Sequence, residues 1–481
     1  MKRTAVPPRF ALFVGFLLVV PTVWPAQPSD PPAVALDALT ARNIGAANMS
    51  GRITEVAVVE SNPAIIYAAA ASGGVWKTAD AGVNWAPVFD GQTSSSIGAV
   101  AVSRSNPDHV WVGAGEANAR NSVTWGDGVF RSTDGGKTWQ HVGLKETQHI
   151  GRIVIHPANP EIVYVAALGR IWGPNKERGV YKTANGGRTW DLVKFVDENT
   201  GFIDVAMDLS QPDTLYAAAY CVRRDGFSGG NPDVQTGPGA GLYRTIDGGK
   251  SWTKMTKGLP NRPYGRCGFD IYRQDPRTVY AVIQTDKTSV TVQGQAANLT
   301  KRTVVEKGQK VTEDITADHG GIFRSDDRGE TWTRLNSLCP RPFYYGQIRV
   351  DPNDVNNIYV LGIAFHTSKD GGRTFTTGGK GKGKGGAHPD HHALWINPKN
   401  SNQLVLGNDG GLYLSQNRGA NWQHVKKLPV SQFYAIAVDM RKPYRVYGGL
   451  QDNGSWGGAS ATRNIEGIGL SDWYRILGAD G

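Results

Sequence analysis

Ser132-Thr133-Asp134-Gly135-Gly136-Lys137-Thr138-Trp139 is the stretch on which the reading of this chain turns. Asp accepts hydrogen bonds from the backbone amides that follow it, Gly supplies the positive φ of a tight turn, and Trp on the next strand brings a large apolar face to bury. The octapeptide is thus a hairpin staple. The pattern Ser/Thr-x-Asp-x-Gly-x-Thr/Ser-Trp returns clearly at Thr245 to Trp252, Ser325 to Trp332 and Ser368 to Phe375. Looser copies run from Thr78 to Trp85, Thr183 to Trp190 and Ser415 to Trp422. Their third residues fall at 80, 134, 185, 247, 327, 370 and 417. Such steps match one four-stranded propeller blade with loops of variable length.

Outward from each box the sequence repeats a second feature. Two short β-rich runs, split by an Asn-Pro or Asp-Pro turn, precede it: Ile53–Val59 and Ile65–Ala69 around Asn62-Pro63, or Ile153–Ile155 and Ile162–Val165 around Asn159-Pro160. A third run such as Gly128–Arg131 or Gly241–Arg244 then enters the box. Each repeat is one four-stranded meander, and eight begin near 53, 97, 150, 200, 264, 343, 388 and 432. The fold class expected is an all-β propeller over 41–481. The eighth unit carries no box, and the chain stops at Ala479-Asp480-Gly481 where a ninth first strand would fall due. Either the eighth unit closes the ring with residues from about 36–48, or the eight are part of a longer ring; the need to satisfy the last edge strand favours the fragment. Residues 225–240 and 285–318 read as insertions between second and third strands, the latter as a protruding hairpin of alternating polar and β-branched residues.

Composition agrees. The 61 glycines among 481 residues come with 14 Trp and 17 Tyr rather than with low-complexity tracts, which excludes disorder and collagen. Cys221, Cys267 and Cys339 stand too far apart for a zinc-ligand spacing. Lys2, Arg3 and Arg9 precede an apolar run from Phe10 to Val20 that Pro21 ends, the pattern of a secretory signal over 1–26, followed by a linker over 27–40. Trp24 departs from the small-residue rule for cleavage after Ala26, so an uncleaved anchor is the alternative. No later segment is apolar enough to span a membrane. A secreted or periplasmic location follows. Removal of 1–26 lowers the net charge from +10 to +7. Its densest basic cluster, Lys380-Gly381-Lys382-Gly383-Lys384, is diluted by glycine and lacks aromatics, so nucleic acid is not an expected partner.

These boxes resemble the Asp-box, or bacterial neuraminidase repeat, propellers from about Ala41 onward. Ser50-Gly51-Arg52, Gly346–Pro352, Asp390–Trp395, Gly407–Gly411 and Gly449–Trp456 are similar to segments of large secreted bacterial proteins with a sortilin-like N-terminal propeller, often labelled glycosyl hydrolases. That resemblance implies a ring of about ten blades that binds peptides in its tunnel. Sialidases share the boxes but carry an Arg-Ile-Pro entry, where this chain has Arg52-Ile53-Thr54 and Arg152-Ile153-Val154. Xyloglucan-active propellers resemble the first blade, with a catalytic carboxylate just before a Gly-Gly; here that place is Ser72.

Propeller topology puts the entries to the first strands and the loops joining second and third strands on one face, opposite the boxes. The entries offer Arg52, Arg152, Arg266, Gln347, His391 and His392; the other loops offer Glu116, Arg120, Arg170, Arg223, Arg224, Asp286, Asp409, Gln451 and Asp452. A glycosidase needs two facing carboxylates about 5–10 Å apart, and Glu116, Asp409 and Asp452 are the catalytic candidates. Arg52, Arg120, Arg152, Arg266, Gln347, His391, His392 and Gln451 are the ligand-binding candidates, with arginines suited to an acidic sugar or peptide terminus. In His388-Pro389-Asp390-His391-His392 the two adjacent histidines point to opposite faces of a strand, so the segment reads as a turn rather than a metal site. No metal or cofactor is expected. The function expected is binding of a peptide, polysaccharide or partner protein at the channel mouth, with hydrolysis of a polysaccharide by paired carboxylates as the alternative.

Overall fold

The computed structural model describes residues 44, 51–227, 230–288, 301–306, 309–378 and 386–481. The signal and linker expected over 1–40, and Lys380–Lys384, lie outside the described residues. Among those described there are eight four-stranded antiparallel sheets, each a meander in chain order, and three short 3₁₀ turns. The first sheet shows the plan: Ile53–Val58, Ile66–Ala70, Val75–Thr78 and Ala86–Pro87. Lys301–Glu306 pairs with Gln309–Asp314 as a separate hairpin between the second and third strands of the fifth sheet.

The boxes do more than close hairpins. Asp134 Oδ1 accepts from the Lys137 and Thr138 amides at 3.0 and 2.9 Å, Oδ2 accepts from the Thr138 hydroxyl, and Gly135 and Gly136 take φ values of 71° and 87°. Those donors hold the Asp134 carboxyl down at about 2. Trp139 Nε1 donates to the Val88 carbonyl of the preceding sheet at 2.6 Å, and Trp190 does the same to Val142 at 2.7 Å. In the other direction Tyr67 and Tyr164 on second strands donate to the turn carbonyls of Gly135 and Gly248, both at 2.9 Å. These boxes therefore link neighbouring sheets as well as their own strands.

The ring closes after seven sheets, which corrects the expectation that all eight units belong to one longer ring. The first strand of the seventh sheet, His391–Ile396, lies beside Ile53–Val58 of the first. Ile53, Val56, Ala68 and Trp76 form one buried cluster with Ala393, Val405, Leu412 and Val430. The seam needs close approach: a Cβ on Gly407 would stand 2.7 Å from Ile53 Cγ2. With the first and seventh sheets packed directly against each other, no place is left between them for another. The eighth sheet (Phe433–Val438, Arg445–Leu450, Gly454–Ala459, Trp473–Leu477) therefore lies outside the ring, and its first strand is exposed throughout. The axis is bridged by ion pairs: Arg152 reaches Glu55 and Asp204 on two other first strands, and Arg273 reaches Glu60 from the fifth sheet to the first at 2.9 Å. Cys221, Cys267 and Cys339 are all buried free thiols.

Candidate active site

At one end of the ring a buried guanidinium collects the carboxylates. Arg52, just ahead of the first strand of the first sheet, donates from Nε to Asp409 Oδ1 at 2.8 Å and from Nη1 to Glu116 Oε1 at 2.7 Å. Its Nη2 stands 3.7 Å from Asp452 Oδ2. Glu116 follows the second strand of the second sheet, Val110–Ala114, and Asp409 follows Leu404–Asn408 of the seventh. Asp452 comes from the turn between the second and third strands of the eighth sheet, which thus contributes to a site on a ring it does not enter. The side chains of Arg52, Glu116 and Asp409 are 1% exposed, and that of Asp452 is 15% exposed.

Asp409 is the hub. Besides Arg52 it accepts from the Tyr344 hydroxyl and from His392 Nε2, both at 2.6 Å. Because a carboxylate only accepts, His392 carries its proton on Nε2. The Tyr345 hydroxyl donates to Asp390, and Asn453 Nδ2 donates to the Asp409 carbonyl at 2.8 Å. Asp390 and Asp452 both sit in the left-handed region, at φ 67° and 61°, which Asp tolerates better than most side chains.

Identical side chains in this cluster hold their protons differently. Burial would raise Asp409, but Arg52 and His392 outweigh it and hold its carboxyl well below the usual range. Burial, and then the charge of Asp409 beside it, push Asp452 up to about 8. Burial pushes Glu116 up to about 7 against the pull of Arg52. Burial and charge thus move neighbouring carboxyls in opposite directions, Asp409 down and Asp452 and Glu116 up. Such a split is the condition for separate acid and base roles. Glu116 Oε2 has no hydrogen-bond partner. One oxygen each of Asp390, Asp409 and Asp452 lie within 4.8 Å of one another, the group of described residues best able to hold a cation. Arg52 already supplies positive charge there, and Asp452 would have to lose its proton first.

Of the residues singled out from sequence, Arg52, Glu116, Asp409, Asp452 and His392 come together here. Gln451 is buried, and its Oε1 accepts from Ser122 Oγ. Arg120 stands over the Tyr344 ring, 5.4 Å from its centroid. Arg266 is buried and donates to the carbonyls of Phe343 and Tyr344 at 3.3 and 3.2 Å, which positions the tyrosine rather than the carboxylates. Arg152 and Gln347 belong to the axial network instead, 3.3 Å apart. His391 faces away from His392 and packs its ring against Phe365, with neither nitrogen partnered. Arg224 donates to the carbonyls of Gly230 and Asn121, Arg223 bonds Asn199, Arg170 reaches Pro174, and Asp286 pairs with Arg262. Tyr344, Tyr345, Arg341, Ser122 and Asn453 were not foreseen. The signal available for three of them was the run Arg341-Pro342-Phe343-Tyr344-Tyr345, which sits at the entry to a first strand.

The family model described as sortilin, neurotensin receptor 3, matches residues 127–319, and that of the BNR-Asp box repeat matches 322–335. The chain is similar to a xyloglucanase of Paenibacillus sp, 23% identical over 396 residues that cover 76% of this chain and 34% of that protein. It is also similar to an oligoxyloglucan-reducing end-specific xyloglucanase of Emericella nidulans, 24% identical over 322 residues that cover 57% of this chain and 35% of that protein. The chain spans about a third of the length of these curated relatives. The crystal structure of the GH74 xyloglucanase from Xanthomonas campestris has the same fold, with a TM-score of 0.58 at 15% identity over 86% of this chain and 60% of that one. The chain has the β-propeller fold, and one of its octapeptides falls within the match to the Asp-box repeat. Among the described residues no helix is long and apolar enough to cross a membrane.

Proposed function

We propose that this Asp-box propeller is a glycoside hydrolase that acts on a polysaccharide outside the cytoplasm, with the Arg52 carboxylate cluster as its active centre. The observation that carries the reading is the convergence of Glu116, Asp409 and Asp452 on the buried Arg52, in a chain whose curated relatives are xyloglucanases. Asp452 keeps a proton at neutral pH and is the most exposed of the three, so it is the acid that protonates the departing glycosidic oxygen. Glu116 has one buried oxygen without a hydrogen-bond partner, and it takes the proton from the attacking water. Asp409, saturated by Arg52, Tyr344 and His392, neither gives nor takes a proton; its fixed charge favours the positive character that develops on the sugar ring. The cluster takes the place of the carboxylate that xyloglucan-active propellers carry where this chain has Ser72. The binding-only reading has no comparable support, since the relatives named above are hydrolases.

Release of reducing ends from a panel of polysaccharides, beginning with xyloglucan, tests the proposal. The expected result is release from at least one member. Binding to a member of the panel with no release from any would overturn hydrolysis and leave a recognition propeller.

A further inference from the structure

Most arginines near a carboxylate in this chain are engaged. Arg52, Arg131, Arg152, Arg244, Arg262 and Arg324 each face one at ion-pair distance. Arg120 and Arg341 do not: among the described residues neither side chain makes a hydrogen bond or an ion pair. Both are half-buried, and both stand over one ring, Tyr344, with guanidinium carbons 5.4 and 5.6 Å from its centroid. Arg341 also stands over Phe343 at 5.5 Å. Asp390 feels the charge of Arg341 without coming within ion-pair distance. Arg120 Nε is buried without a partner. The hydroxyl of that same Tyr344 donates to Asp409, so the two guanidiniums stand over a ring that is itself tied to the carboxylate cluster.

Aromatic faces hold a guanidinium in place while leaving its N–H groups free to donate. Two such groups beside an otherwise acidic centre form a receptor for an anion. We propose that Arg120 and Arg341 form a subsite for an acidic substituent, carboxylate or sulfate, and that the substrate class is a charged polysaccharide rather than a neutral one. This inference rests on the hydrolase reading of the neighbouring carboxylates. The basic balance of the whole chain, +10, draws polyanions toward it but does not place them.

Binding is measured at physiological salt in the Asp452→Asn background, so that no turnover intervenes. The probes are polygalacturonate for the carboxylate, carrageenan for the sulfate and xyloglucan as the neutral glycan. Binding of one polyanion, weakened tenfold or more by Arg120→Gln with Arg341→Gln, is the expected result; Arg188→Gln, an exposed arginine elsewhere, should leave it unchanged. The double variant must melt with its parent, and Arg341→Lys, which keeps the charge but loses the fork, should fall between them. Equal binding by parent and double variant, or binding of xyloglucan alone, overturns the subsite. Hydrolysis of a neutral glycan would then still uphold the active centre, whereas polyanion binding without cleavage of any glycan would uphold the subsite and overturn the hydrolase.

Discussion

Asp409→Ala is expected to cost about 3–5 kcal/mol of stability, the range for removing one partner of a buried ion pair. The loss is large because one carboxylate serves three buried donors. Without it Arg52 keeps its charge at 1% exposure with Glu116 as its remaining close partner, and Tyr344 and His392 lose their acceptor. Asp409→Asn, which keeps the shape and one acceptor oxygen, should cost less. The site also spans the seam at which the seventh sheet closes on the first, so the ring itself should loosen. Urea unfolding of the two variants beside the parent measures this. An unchanged midpoint for Asp409→Ala would mean that Arg52 finds other partners and that the hub described above is wrong.

Asp452→Asn is expected to lower hydrolysis by about 10²–10⁴-fold, the usual contribution of a general acid, while leaving polysaccharide affinity close to the parent. An amide keeps the size of the side chain and has no acidic proton to give. The pH dependence has a definite sign. Glu116 must be ionised to act as base, so the rate rises with pH through about 7; Asp452 must be protonated to act as acid, so it falls through about 8. A narrow optimum between those values follows, and its alkaline limb should vanish in Asp452→Asn. A profile that stays flat above pH 8 in the parent would remove Asp452 from the acid role.

Much of this was legible in the residues because turn chemistry is local. Asp134, Gly135, Gly136 and Trp139 demand a hairpin whatever surrounds them, and Asn62-Pro63 or Asn159-Pro160 demand a strand break. Alternation inside the sheets followed from the same runs. Ring closure was not legible, since it depends on Gly407 meeting Ile53 across more than three hundred residues and no local pattern encodes that contact. The eighth sheet reads like its neighbours in sequence for the same reason, although its first strand is exposed throughout.

The site divides along the same line. Topology alone gathers Arg52, Glu116 and Asp409, because entries to first strands and exits from second strands share one face, whereas Asp452 reaches them from a sheet outside the ring. Topology does not separate Arg52 from Arg152, each preceded by Gly and followed by Ile. What separates them is the company across the axis: Arg152 meets Glu55 and Asp204, whereas Arg52 meets Asp409. Tyr344 and Tyr345 escaped because an aromatic run ahead of a strand reads as core, and both rings are indeed fully buried. Only their hydroxyls, pointed at Asp409 and Asp390, show a further role.

A proton resting on Asp452 at neutral pH is the condition on which the chemistry depends. Infrared difference spectroscopy of the parent against Asp452→Asn, across a pH series, detects it through the carbonyl stretch of a protonated carboxyl. The band should persist at pH 7, fade as pH rises through about 8, and be missing from the variant. A parent whose Asp452 carboxyl is already ionised at pH 5 would contradict the acid role and, with it, the assignment of this cluster as a hydrolytic centre.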